Sequence, residues 1–170
     1  MPHGRMNALD DFARAMASMA YPSASLEAAA DDALLRDRIF AVLSDLSAKV
    51  VVLRYYSAPS GLEVFHCRTL GEQGEISLLR RAKEAAARDI ARHIKKQPRK
   101  RFATSYDPRL IRHICLSWGN HWRAPRPDDW AHICKKSSFY EVKEKVEASL
   151  DQLLRAAAKE YERSIHEKEN

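Results

Sequence analysis

The apolar positions fall into runs spaced for helices. Between Ser25 and Leu46, the residues Leu35, Ile39, Phe40, Val42, Leu43 and Leu46 recur at steps of three and four, which places them on one helical face. The next stretch, Ser44 to Phe65, is the densest in β-branched and aromatic residues, and by propensity it suits a buried strand. Only the short "DLS" separates it from the preceding helix, however, and Val50, Leu53 and Tyr56 share a helical face. The reading is therefore a short helix capped by Ser47 and ended by Pro59. Ser60 and Glu63 form a capping box that opens another short helix. Two glycines within Leu70–Glu75 predict a turn, after which Ile76, Leu79, Ala86, Ile90 and Ile94 form a stripe that runs down to Pro98.

Beyond a basic stretch, Lys95 to Arg101, Asp107 and Pro108 make an N-cap and first-turn pair for a helix to about Trp118. The "NHWRAPRP" segment is a loop by composition. A last helix begins at Ser138, boxed by Glu141, with Phe139, Val142, Val146, Leu150, Leu153, Ala157 and Tyr161 on one face and a reach of roughly 40 Å. That face packs on its own chain or zips to a second copy. The fold class is all-α: a multi-helix region over 1–97 containing a helix-turn-helix at about 60–94, a basic linker over 98–106, and a helical C-terminal region over 107–170 with a long terminal helix. A short echo, Pro108 with His113-Ile114-Cys115 and Pro127 with His132-Ile133-Cys134, has equal spacing in both copies.

Charge narrows the function. The 170 residues carry a formal charge of +6 with a pI near 9.3, alongside many acids, a balance that favours nucleic acid as partner. No stretch approaches the roughly 18 apolar residues of a membrane span, and the N-terminus lacks a signal-peptide core, so no membrane association and a cytoplasmic location are expected. Three cysteines without a C-x-x-C motif suit reduced thiols. None of the five glycines sits in a nucleotide-binding motif.

Of the metal-ligating types, His66, Cys67, His113, Cys115, His121, His132 and Cys134 are candidates for zinc. Residues two apart on a helix point in nearly opposite directions, so neither His113 with Cys115 nor His132 with Cys134 converges on one ion. Zinc as a cofactor is the minor reading, and the favoured one makes Cys115 and Cys134 small core residues with the histidines at the rim. The acids Asp31, Asp32, Asp45, Asp128 and Asp129 suit helix starts, where carboxylates complement the dipole. No nucleophile motif is present, and no enzymatic activity is expected.

The helix, turn and helix over Ser60–Ile94 carry Arg68, Arg80, Arg81, Lys83, Arg88 and Arg92. In a helix-turn-helix the second helix enters the DNA major groove, which makes Gln73, Glu75, Ser77, Arg80, Arg81 and Lys83 the reading face. Arg80, Arg81, Lys95, Lys96, Arg99, Lys100 and Arg101 are candidates for phosphate contacts. An ordinary solvated face accounts for the same arginines equally well.

At these residues the chain resembles a known group. "YPSAS" (Tyr21–Ser25), "DDALLRDRIFAVL" (Asp31–Leu43), "VVLRYY" (Val51–Tyr56), "TLG" (Thr69–Gly71) and "LLRRAK" (Leu78–Lys83) resemble phage-encoded antitermination proteins of the Q type and, more distantly, region 4 of bacterial sigma factors. The resemblance covers about Met6 to Ile94. It departs from the pattern at His66 and Cys67, where an apolar residue and Ala are usual, and at Ile76, one residue before the expected anchor at Ser77. The resemblance implies a non-enzymatic phage or prophage protein that binds a DNA element overlapping a late promoter, engages bacterial RNA polymerase and carries it past pauses and terminators. Nascent RNA and a second copy of the chain are further partners to consider. Two alternatives stay open: a helix-turn-helix regulator or packaging protein without polymerase coupling, and a helical protein–protein adaptor.

Overall fold

The apolar stripe that starts at Phe139 becomes the spine of the structure. The computed structural model describes residues 7–20, 25–55, 70–96, 107–118 and 124–169, with side chains at all of these except 17–20, 70–80, 96 and 169. The elements are α1 (Ala8–Ala20), α2 (Leu26–Val42), α3 (Asp45–Tyr55), α4 (Leu70–Lys96), α5 (Pro108–Trp118), a 3-10 turn at Pro127–Trp130, and α6 (Lys136–Glu169). Among the described residues there is no strand, and the fold is all-α with a long C-terminal helix. The 34 residues of α6 span about 51 Å.

Two apolar clusters lie along α6. The first joins Val50 and Leu53 of α3, Ala87, Ile90 and Ile94 of α4, Leu110, Ile111, Ile114 and Cys115 of α5, and Phe139, Val142, Val146 and Leu150 of α6. The second joins Ala8, Phe12, Ala15 and Met16 of α1, Ile39 of α2, Val51 of α3, and Ala157 and Tyr161 of α6. The long helix therefore packs on its own chain, the first of the two alternatives. Both clusters draw on helices from either side of the basic linker at 98–106, so the linker joins helices that share a core.

Helix α3 explains why its sequence looks like a strand. Val50 and Leu53 enter one cluster while Val51 enters the other, so apolar residues are needed on two sides of a short helix. A helix buried on both flanks loses the polar face that normally marks amphipathic periodicity.

Three boundaries differ from expectation. The first helix stops at Val42 rather than Leu46, and Leu43 turns to an extended conformation. Ser44, not Ser47, then caps α3: its hydroxyl accepts from the Ser47 N–H at 3.4 Å. Glu160 of α6 completes the cap by accepting from the Ser44 N–H, the Ser44 hydroxyl (3.1 Å) and the Ser47 hydroxyl (2.7 Å). A carboxylate at this end satisfies donors that the helix leaves open and complements its dipole. Helix α6 begins two residues before Ser138, with the Phe139 N–H donating to the Lys135 carbonyl at 2.9 Å, so Ser138 lies inside the first turn.

Helix α1 was not anticipated from the sequence, although Ala8, Phe12, Ala15 and Met16 form a helical stripe behind Asn7, whose side chain accepts from the Leu9 N–H at 3.1 Å. Two polar contacts hold α1 in place. The Tyr161 hydroxyl donates to Asp11 at 3.0 Å, and Arg14 pairs with the buried Asp32 of α2 at 3.0 Å.

Candidate nucleic-acid interface

Helix α4 is rich in alanine, a strong helix former whose small side chain lets neighbours come close. Its inward face, Ala86, Ala87, Ile90 and Ile94, is buried against α3 and α5. Its outward face carries the exposed Arg81, Arg88, Arg92 and Lys95. Spacings of seven, four and three keep these four within about 60° of arc on a 3.6-residue helix, along about 21 Å of its length.

Helix α5 brings a second set of cations beside them. The Asp107 side chain accepts from the Arg109 N–H at 2.8 Å and so caps the helix as the sequence predicts. The same carboxylate meets the Arg109 guanidinium at 3.1 and 2.8 Å. That side chain, then its backbone N–H, hold the Asp107 carboxyl down at about 2. On the inner face Leu110, Ile111 and Ile114 are buried, which turns Arg109 and Arg112 outward. At its far end α5 is pinned by Arg54, which stacks 5.0 Å from the Trp118 ring centroid and donates to the Trp118 carbonyl, while the Trp118 indole N–H donates to Asp151 at 3.2 Å.

Between α4 and α5 lies a groove of about 630 Å³ whose walls carry Arg88, Arg92, Lys95, Arg109 and Arg112, with Ala91 and Leu116 between them. Among the described residues no carboxylate is part of its lining. Asp89 sits behind the stripe, where it pairs with Lys49 at 3.0 Å and lies 3.7 Å from Arg92. The Lys49 hydrogen bond is the main reason the Asp89 carboxyl titrates low. Among the described residues no carboxylate pairs with Arg88, Lys95 or Arg112.

Of the sequence-derived DNA contacts, Arg81 and Lys95 are exposed on this stripe. Lys83 is a correction. It is 3 % exposed, and burial, then the charge of Arg54, push its ammonium down to about 6. It stands four residues after Leu79 and three before Ala86, so helical geometry puts it on the inward stripe and not on a reading face. The turn expected at Leu70–Glu75 is also corrected: these residues form the N-terminal turns of α4. Two glycines in a helix cost about 1 kcal/mol each relative to alanine, a modest sum against a helix of 27 residues packed on its neighbours. Gln73, Glu75, Ser77, Arg80 and Lys96 belong to α4, and their side chains lie outside the described residues, as do Arg68, Arg99, Lys100, Arg101 and the Ser60–Thr69 half of the motif.

The zinc candidates separate. Cys115 is fully buried in the first cluster, where burial pushes its thiol up to about 12, and Cys134 packs against the same cluster. His113 meets Trp130 edge to face at 5.6 Å, and His132 is exposed. Among the described residues no three His, Cys, Asp or Glu side chains are grouped to hold a metal. His66, Cys67 and His121 lie outside the described residues.

The groove cations missed in the sequence are Arg109 and Arg112, although they fall at i, i+3 opposite the apolar Leu110, Ile111 and Ile114. Comparison with known proteins returns no matching family, no similar curated protein and no similar solved structure. No described helix is long and apolar enough to cross a membrane.

Proposed function

We propose that this protein binds double-stranded DNA through the outward face of α4 and acts in transcription as an antitermination factor of the kind its sequence resembles. The observation that supports DNA binding is the row Arg81, Arg88, Arg92 and Lys95, which leads into the basic 95–101 segment. A row of about 21 Å exceeds the roughly 12 Å width of the major groove, long enough to meet phosphates on both of its walls. Coupling to RNA polymerase rests on the resemblance of about Met6 to Ile94 to Q-type proteins.

Four phosphate contacts release condensed counterions, so the logarithm of affinity should fall with the logarithm of salt at a slope of about −3.6. Between 50 and 200 mM salt this amounts to about a 150-fold loss. Fluorescence anisotropy with a labelled duplex measures the slope, and a flat dependence refutes the DNA reading. Single-round transcription across an intrinsic terminator, with purified polymerase and a template carrying the cognate element, tests the second part. Read-through that rises with added protein supports antitermination. DNA binding without read-through leaves a DNA-binding regulator or packaging protein, and binding to neither leaves the adaptor reading.

A further inference from the structure

We infer that the groove between α4 and α5 seats one strand of the DNA backbone, with Arg112 supplying the phosphate contact from α5. This rests on the DNA-binding reading above and extends the interface into the C-terminal half of the chain, where the sequence resemblance does not reach. Cations converge on the groove from both walls: Arg88, Arg92 and Lys95 from α4, Arg109 and Arg112 from α5. Convergence from two elements distinguishes a seat for an anionic strand from a solvated helix face, whose charges diverge.

The walls are held by packing. Helix α5 is anchored on its inner side by Leu110, Ile111 and Ile114 and at its end by Arg54 against Trp118, while Ala91, too small to fill the space, lies on the α4 side. Pro108 and Arg109, at the positive end of the α5 dipole, also line the groove, a polarity that favours an anion.

The two arginines of α5 are not equivalent. Arg109 is held by Asp107 through two side-chain contacts and is charge-compensated in place. Arg112 is exposed and pairs with no carboxylate among the described residues. A phosphate entering the groove therefore gains its α5 contact from Arg112, while Arg109 stays with its cap.

The test compares wild type with Arg81→Ala, Arg112→Ala and Arg109→Ala in the full chain by salt titration on a duplex, with circular dichroism and thermal melting to show that each variant folds. Losing one phosphate contact reduces the salt slope by about 0.9, which at 0.1 M salt is about an 8-fold weaker affinity when the lines are extrapolated to 1 M. Arg112→Ala should show this loss and Arg109→Ala should stay within about 2-fold of wild type. If Arg81→Ala weakens binding and Arg112→Ala does not, the groove assignment falls while the α4 reading stands. Equal losses from Arg109→Ala and Arg112→Ala would also overturn it, because they indicate diffuse attraction. If wild type binds no duplex, the functional reading fails first and takes the groove with it. A competition arm uses tripolyphosphate at matched ionic strength. Displacement of the duplex that Arg112→Ala abolishes means that polyphosphate and DNA backbone share the groove and supports the strand seat, whereas displacement that Arg112→Ala leaves unchanged would overturn it.

Discussion

Replacing Lys83 by methionine removes an ammonium that burial holds at about 6 against an ordinary 10.5. In the unfolded chain this lysine is protonated up to about pH 10, while in the folded chain it is mostly neutral above pH 6. The unfolded state therefore binds more protons across that window, and stability rises with pH through it, being lost again as pH falls toward 6. One proton is worth about 1.4 kcal/mol per pH unit, so from pH 6.5 to 8.5 wild type should gain up to about 3 kcal/mol. For a chain of this size that is roughly 6–12 °C in melting temperature. The window stops at 8.5 because Cys115, pushed up to about 12, works in the opposite sense once the unfolded thiol begins to ionise. Differential scanning calorimetry at half-unit pH steps makes the measurement, and Lys83→Met should flatten the profile. A wild-type profile that moves less than about 2 °C, or a Lys83→Met profile as steep as wild type, would refute the reasoning. The same variant should keep the salt slope of DNA binding, since Lys83 faces inward.

Two further outcomes follow from the packing. Leu150 is fully buried where α6 meets the first cluster, and Leu150→Ala should cost about 2–5 kcal/mol, read as a lower urea midpoint at unchanged m-value. Glu160→Gln removes the charge that caps α3 and should cost about 1–3 kcal/mol. Combined with Ser47→Ala, the effects should add to less than their sum, because one substitution weakens and the other removes the same hydrogen bond, and strict additivity would show that the charge adds nothing to this contact.

Much of the architecture is legible in local pattern. Asp107 and Pro108 announce α5 because capping chemistry acts within one turn of chain, and the spacing from Phe139 to Tyr161 announces α6 because each of those residues needs the same side buried. The same rule reaches Lys83: the stripe through Leu79, Ala86 and Ile90 includes its position, so helical period and not charge decides that it faces inward. Helix α1 also carried its stripe, in a segment rich in small and acidic residues. Gly71 and Gly74 misled in the other direction, since their turn preference is weaker than the cooperativity of a 27-residue helix.

Pattern along the chain determined the helices, most of their buried faces, and the outward turn of Arg81, Arg88, Arg92 and Lys95. It left open which faces meet. The cap on α3 comes from Glu160, 113 residues away from Ser47, and no local rule names a partner at that distance. The groove is likewise a tertiary product. Arg112 stands 20 positions from Arg92, and only the packing of α5 against α4 and α6 sets their charges on facing walls. Periodicity reports which side of each helix avoids water, while the choice among apolar partners is made by shape and close packing once the helices meet.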